Sequence, residues 1–409
     1  MTAVVFIAFF GFNFVMPILP LYVRALGVAD VAQAALLAGA MLAVSPLMAA
    51  VFAPLWGAVA DRFGRKRMVQ RSLLVFAVAS AVMGLVQNVA QLFALRAAAG
   101  VFGGFTSMAM AYVVTLAPAA HASAALGLLQ AAQVAGLVVG PLCAGVIADH
   151  FGLRASFFTG AAVILAGFAA ATVLTQDDRA FRTPPAPHAA APGASPTAPP
   201  RPRGLAALRA AARLPGLLPA MVILALVQFV DRSFGPILPL YVAALGTPPD
   251  QVASYAGLIV SLGALGTAIS AAALGHLAAR LPVRRLLVTT LVAGVALCFP
   301  LALVAAPAQL LVVRTLLGLF AGGTLTLAYS LANQAIPAER KGAAFGVLSS
   351  TTLLGSASSP LVTGALARLD LRAVFVLDGL LYACALLWTR RPGRAARRAE
   401  PVPGTLAAG

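Results

Sequence analysis

Charge is scarce in this sequence: of 409 residues only 10% are Asp, Glu, Lys or Arg, against about 25% in an ordinary soluble domain. With 61% hydrophobic residues and just 11 acids, there is too little polar side chain to cover a globule in water,. The three cysteines, Cys143, Cys298 and Cys384, each fall inside an apolar run at spacings that match no metal or redox motif, so no disulfide framework is expected. Four histidines, His121, His150, His188 and His276, are scattered and form no metal cluster, and no Gly-x-x-x-x-Gly-Lys phosphate loop occurs,. A membrane-embedded enzyme and a sensor with a soluble signalling domain are both disfavoured. The expectation is no enzyme, no cofactor and no metal.

What abounds is apolar sequence. Runs long enough to cross a bilayer lie at about 3–23, 34–60, 72–88, 91–116, 123–148, 155–175, 217–243, 252–278, 286–305, 308–335, 342–367 and 373–389,. They lack the alternation of barrel strands and are too long for them. An all-α membrane protein with twelve transmembrane helices is predicted. The first run has no basic leader or small-residue cleavage site and reads as a retained span, and its missing polar leader leaves open a native start further upstream.

The net charge of +17 is distributed as a membrane protein requires. With the N-terminus cytoplasmic, the loops and tail on that side hold 21 Lys/Arg, in clusters Arg62 to Arg71, Arg179 to Arg213, Arg280 to Lys341 and Arg390 to Arg398. The other side holds four, Arg24, Arg154, Arg368 and Arg372. That bias sets both termini in the cytoplasm, at the inner membrane. Short clusters between apolar runs make no continuous face for nucleic acid and explain the basic charge through the lipid bilayer instead.

Residues 176–215 switch to Pro, Ala and Arg, as in "RTPPAPHAAAPGASPTAPPRPRG", a composition that offers no apolar face to bury. This predicts an N-terminal six-helix bundle over 1–175, a cytoplasmic linker over 176–215, a C-terminal six-helix bundle over 216–390 and a tail over 391–409. The halves repeat each other: Pro17, Pro20 and Tyr22 match Pro236, Pro239 and Tyr241 at an offset of 219, and Gly127, Pro141 and Gly145 match Gly346, Pro360 and Gly364 at the same offset. Arg96 and Gly100 match Arg314 and Gly318 at 218. Tandem six-span units are related by an axis along the membrane normal, with a substrate cavity between them. The duplicated Pro-x-x-Pro is expected to bend spans 1 and 7, and Tyr22 and Tyr241 are expected to anchor at the membrane interface.

Several motifs carry chemistry. In the loop after span 2, Gly57, Asp61, Arg62, Gly64, Arg65 and Lys66 make a G-x-x-x-D-R-x-G-R-K pattern. Gly57 is expected to admit a neighbouring helix and Gly64 a tight turn. Asp61 lies at the wrong end of its own helix for the macrodipole and needs a partner. The plain alternative is an ordinary basic turn. The second half carries a worn copy with Ala279 in place of the acid. Span 5 places Gly127, Gly136, Gly140, Pro141 and Gly145 at helical spacing, a small-residue packing stripe with one pliable point.

The loop pattern, with twelve spans in two related halves, resembles the major facilitator superfamily, and the likeness covers essentially the whole chain. The resemblance implies two pseudo-symmetric six-helix bundles, alternating access, and a conformational latch in which Asp61, with Arg62 and Arg65, meets the start of span 11 near Gly342. The span 5 motif is similar to the signature of the family's drug:proton antiporters, with Ala144 where a glycine is usual. This implies proton-coupled efflux of small lipophilic or drug-like compounds, by a monomer whose partners are a small-molecule substrate and protons. A proton-coupled carrier of one metabolite is the other reading.

Ionisable groups inside spans are functional candidates by default. Arg96 resembles the antiporters' arginine on span 4, with snorkelling as the plain alternative. Asp231 shares a helix face with Gln228 and Arg232, and Asp378 lies about six residues into span 12. Asp231, Asp378 and Arg96 are the proton-coupling candidates, with a structural ion pair as the alternative for Asp231. Span 1 has Asn13 where many family exporters carry an acid, so coupling is expected in the second half. Asn13, Phe14, Met108, Gln133, Gln228, Arg232 and Thr326, together with Phe10, Tyr112 and Gln130, are expected to line the cavity.

Overall fold

The computed structural model describes residues 1–118, 121–176, 217–336 and 341–390. The linker expected over 176–215 therefore lies outside the described residues beyond Gln176, as does the tail from residue 391. All described elements are helices, arranged as twelve spans. Span 1 is Thr2–Phe12 and Leu19–Ala25, span 2 Val31–Phe63, span 3 Arg65–Leu85, span 4 Val89–Val101 and Phe105–Leu116, span 5 Ala122–Phe151 and span 6 Leu153–Leu174. Span 7 is Leu217–Ser233 and Leu238–Ala244, span 8 Val252–Leu277, span 9 Val283–Leu303, span 10 Pro307–Ala321 and Thr324–Ala335, span 11 Lys341–Leu366 and span 12 Ala373–Arg390.

Eight of these are long and apolar enough to cross a membrane by composition alone, and span 7, bent by 48° at its break, makes a ninth. Span 1 is interrupted at the same repeat position as span 7, span 12 is a shorter apolar helix, and span 11 is diluted by serine and threonine. Val173 and Leu303 are about 80% exposed, a placement that only lipid makes favourable.

Local chemistry sets the ends. The Asp30 carboxylate accepts from the N–H groups of Ala32 and Gln33 to start span 2, and the Asn88 side chain accepts from Gln91 N–H to start span 4, each satisfying donors that a helix leaves open. Gly64 (φ 102°) and Gly152 (φ 88°) are single residues joining spans 2 and 3 and spans 5 and 6. At such angles an L side chain is strained. Spans 4 and 10 break at Gly103-Gly104 and Gly322-Gly323, a discontinuity that the apolar runs do not reveal.

The duplication extends to individual contacts. Tyr22 OH donates to the Met83 carbonyl at 3.0 Å and packs on Phe157, while Tyr241 OH donates to the Leu301 carbonyl at 3.1 Å and packs on Phe375. Both tyrosines are 2% exposed. They are therefore internal struts, which corrects their expected place at the membrane interface: a phenol this deep needs a buried acceptor, and a span end supplies it. Within each half, span 1 or 7 packs on span 5 or 11, span 2 or 8 on span 4 or 10, and span 3 or 6 on its pair, 9 on 12. Between halves, span 5 packs on span 8 and span 2 on span 11.

Candidate functional site

The two inter-half seams are tight at one end of the molecule. A Cβ on Gly257 would meet the Pro141 carbonyl, and one on Gly39 would meet the Pro360 carbonyl. Gly145 and Gly364 likewise face the backbones of Ala253 and Ala35. The Leu142 N–H donates to Ser261 Oγ at 3.1 Å, and the Asp149 carboxylate accepts from Ala253 N–H (3.1 Å) and Ser254 N–H (2.6 Å) at the start of span 8. All of these lie toward the arginine-poor end. Span 5 thus uses two faces, since Gly136 and Gly140 abut Phe10 and its neighbours on span 1. Gly127 and Gly57 face open space in this state, so the close helix approach expected at Gly57 is not made here.

Toward the arginine-rich end the halves separate around a cavity of about 900 Å³. Spans 1 to 4 contribute Phe9, Phe12, Ser45, Phe76, Gly100, Gly103, Gly104, Phe105, Thr106 and Met110, and spans 7, 10 and 11 contribute Gln228, Leu325, Tyr329, Ser349, Thr352, Leu353 and Ser356. Phe12 sits edge-on to Phe105 at 5.5 Å and 4.7 Å from Phe76, an aromatic wall of packed, low-entropy rings. Tyr329 OH lies 3.3 Å from Thr352 Oγ1 on the opposite wall.

Gln228 and Leu325 also line a smaller cavity of about 110 Å³ together with Asp231, Thr267, Arg314 and Tyr382. Asp231, Arg232 and Arg314 line a third, of about 230 Å³, with Met16, Pro17 and Leu137 from the first half. Asp231 pairs with Arg232 at 3.7 Å, each side chain being about half exposed. The Arg314 guanidinium lies 4.2 Å from the centroid of the Phe234 ring. Asp378 is fully buried: Ser233 Oγ donates to its Oδ2 at 2.6 Å, and Oδ1 has no partner among the described residues. An open acceptor in a dry core is costly as an ion and is a place where a proton alters the local balance.

The remaining expected site residues distribute as follows. Arg96 is half-buried against span 2, its Nε donating to the Met41 carbonyl at 3.4 Å while Ser45 Oγ donates to the Arg96 carbonyl at 2.6 Å. Gln228 reaches the large cavity and Arg232 the 230 Å³ one. Phe14 and Met108 are buried in the packing of the first half, the former edge-on to Phe10, and neither lines the three cavities. Asn13 turns back on its own helix, Nδ2 donating to the Phe9 carbonyl at 2.7 Å. Gln133 is half-buried with Nε2 unpartnered among the described residues, and Thr326 lies outside the three cavities. Around the loop after span 2, Arg65 donates to the Ala111 carbonyl at 2.7 Å and to Thr115, and Lys66 to the carbonyls of Thr172 and Thr175. Arg62 lies over the Phe63 ring. The Asp61 side chain, and that of span 11 near Gly342, lie outside the described residues. Ser233, Arg314 and Tyr382 were not expected at a site. Arg314 was legible as the repeat partner of Arg96, but the contacts of Ser233 with Asp378 arise only when span 7 meets span 12.

This architecture belongs to a class, the secondary transporters built of two six-helix bundles. The Major Facilitator Superfamily matches residues 1–254 and, again, 220–408, and the chain belongs to that family. It is 33% identical to the multidrug resistance protein MdtG of Serratia proteamaculans over 394 residues, covering 94% of this chain and 92% of that one. It is also 33% identical to MdtG of Citrobacter koseri over 395 residues, 95% and 94% of the two chains. In fold it is similar to a bacterial homologue of the human lysosomal transporter Spinster in an inward-facing, unoccupied conformation, with TM-score 0.76, 14% identity and coverage of 98% and 97%. The nucleoside transporter NupG aligns with TM-score 0.70 at 14% identity over 94% and 98% of the two chains.

Proposed function

We propose that this protein is a proton-coupled drug exporter of the cytoplasmic membrane, working as a monomer with both termini on the cytoplasmic side. The MdtG relatives support export of drug-like compounds, and the excess of 21 over four cations supports the orientation,. In that orientation the 900 Å³ cavity opens inward and the seams around Gly257 and Gly39 close the outer end. The two halves, 1–175 and 216–390, rock about the cavity as units, with the 176–215 segment linking them.

The observation that carries the coupling is the Asp231, Arg314, Ser233 and Asp378 cluster beside Gln228, the polar residue that lines both the large cavity and the one reached by Asp231. A proton from outside reaches Asp231 and Asp378 and favours the inward-open state. Cargo enters from the cytoplasmic side, the proton leaves inward, and the halves close over the cargo. The outer seams then part, and the Asp61 loop, with Arg62 and Arg65 beside it, latches the inner end against span 11. Each ligand shifts the balance only by its difference in affinity for the two states. Arg96, bonded across to span 2 in the first half, positions the span 4 wall of the cavity.

Dye accumulation in inverted membrane vesicles under an imposed pH gradient tests this reading. Wild type accumulates dye with the gradient, whereas Asp231→Asn and Asp378→Asn lose gradient-driven accumulation but keep downhill flux. Unchanged gradient-driven accumulation in both variants removes the coupling assignment.

A further inference from the structure

The 900 Å³ cavity lies in a protein with 28 Lys and Arg residues, yet none of its described lining side chains is charged. The acid and the arginines stand next door, in the two smaller cavities, behind Gln228. Its phenylalanine rings stand on one side: Phe9, Phe12 and Phe76 on the first half, where the Ser45 and Ser107 hydroxyls are spent on the Arg96 and Gly104 carbonyls, face Tyr329, Thr352 and Ser356 on the second. We infer that the cargo is an electroneutral amphipath, seated with its apolar flank on the phenylalanine wall and its hydrogen-bonding groups on the hydroxyl wall of span 11. This deepens the export reading and rests on it.

An ion moved from water into a largely apolar cavity loses hydration and needs an opposite charge or a dense set of dipoles to replace it. The cavity supplies neither, because Asp231 is already matched by Arg232 at 3.7 Å and has Arg314 beside it. A neutral molecule with acceptors or hydroxyls loses less, and hydroxyls that rotate to donate or accept serve many shapes. Aromatic rings on the other wall supply area without demanding a fixed pose. Separating the cargo from the carboxylates also separates its chemistry from the proton's: Gln228, an amide that both donates and accepts, is the residue through which one is sensed by the other.

The test uses a near-isosteric pair, triphenylphosphine oxide, which is neutral with one strong acceptor, and methyltriphenylphosphonium, a cation with a methyl group in place of that oxygen and no acceptor. Binding to the purified full chain is measured for both by equilibrium dialysis. The oxide binds about tenfold or more tightly than the phosphonium, and the Ser349→Ala/Ser356→Ala double variant weakens the oxide about tenfold while leaving the thermal midpoint unchanged. Ser356→Asp reverses the preference, since it places an acid in the cavity. Equal or tighter phosphonium binding by wild type, or binding of neither compound, overturns the inference. In vesicles, pumping of the phosphonium but not the oxide overturns it and leaves proton-coupled export standing. Oxide binding without gradient-driven movement of either compound leaves it standing and overturns the coupling.

Discussion

Asp149, at the last turn of span 5, accepts a 2.6 Å hydrogen bond from the backbone N–H of Ser254 in the first turn of span 8, and a second from Ala253. The first helical turn of one half is thus capped by a carboxylate of the other. Gln251, at the N-cap position of span 8, makes no side-chain cap bond of its own. A carboxylate at a helix C-terminus opposes its own macrodipole, and at a neighbour's N-terminus it is stabilised by that neighbour's. Replacing such a cap with alanine costs roughly 0.5–2 kcal/mol, enough to change a two-state ratio by about two- to thirtyfold. Asp149→Ala therefore favours opening of the arginine-poor end. With the native cysteines replaced by serine, maleimide labelling of Ser261→Cys, at the same seam, is expected to rise about tenfold on adding Asp149→Ala. Asp149→Asn, which keeps an acceptor, should fall between.

The glycines of the seams divide into those that touch and those that do not. Gly257→Ala and Gly145→Ala press a methyl group into the backbones of Pro141 and Ala253, whereas Gly127→Ala meets nothing. The first two should hold the arginine-poor end ajar and cut transport about tenfold or more, because backbone cannot yield as a side-chain tip can. Gly127→Ala should leave the arginine-poor seam closed and the labelling there at its wild-type level. Measuring cargo flux alongside Ser261→Cys labelling separates a jammed seam from an unfolded protein.

Tyr22→Phe and Tyr241→Phe each leave a buried carbonyl, of Met83 or Leu301, without its donor. Each is expected to cost about 1 kcal/mol of stability and lower the thermal midpoint by similar amounts, since the two bonds occupy equivalent repeat positions. A much larger loss for one than the other would mean the halves do not share this strut.

The latch carried over to Asp61 makes a different prediction. Asp61→Asn should leave the arginine-rich end open for longer, so cavity cysteines such as Ser349→Cys label faster from that side. No shift in labelling removes the latch.

Much of this was legible in the sequence, because lipid rewards long apolar runs and the repeat offset of 219 ties separate motifs together. All twelve spans fall close to the apolar runs, and both Pro-x-x-Pro breaks fall where expected. The Gly-Gly breaks in spans 4 and 10 escaped because each preserves a continuous apolar run, although the pair recurs in both halves. Asp149 escaped although the argument applied to Asp61, an acid at the wrong end of its helix, applies equally to it. A large side chain on a span, such as Phe14 or Met108, has the same sequence signature whether it faces a cavity or a neighbouring helix. The bond between Ser233 and Asp378 joins residues 145 positions apart, and no local pattern encodes it.

In the proposed cycle, cargo and proton exclude one another through the Asp231, Arg314 and Asp378 cluster. Reciprocity of binding makes it directly measurable: if protons weaken cargo binding, cargo must expel protons. Adding cargo to purified protein in weakly buffered solution is predicted to acidify the medium by a stoichiometric amount, and the Asp231→Asn/Asp378→Asn double variant is predicted to bind cargo without releasing protons. Saturable binding by the wild type with no proton release would contradict the account.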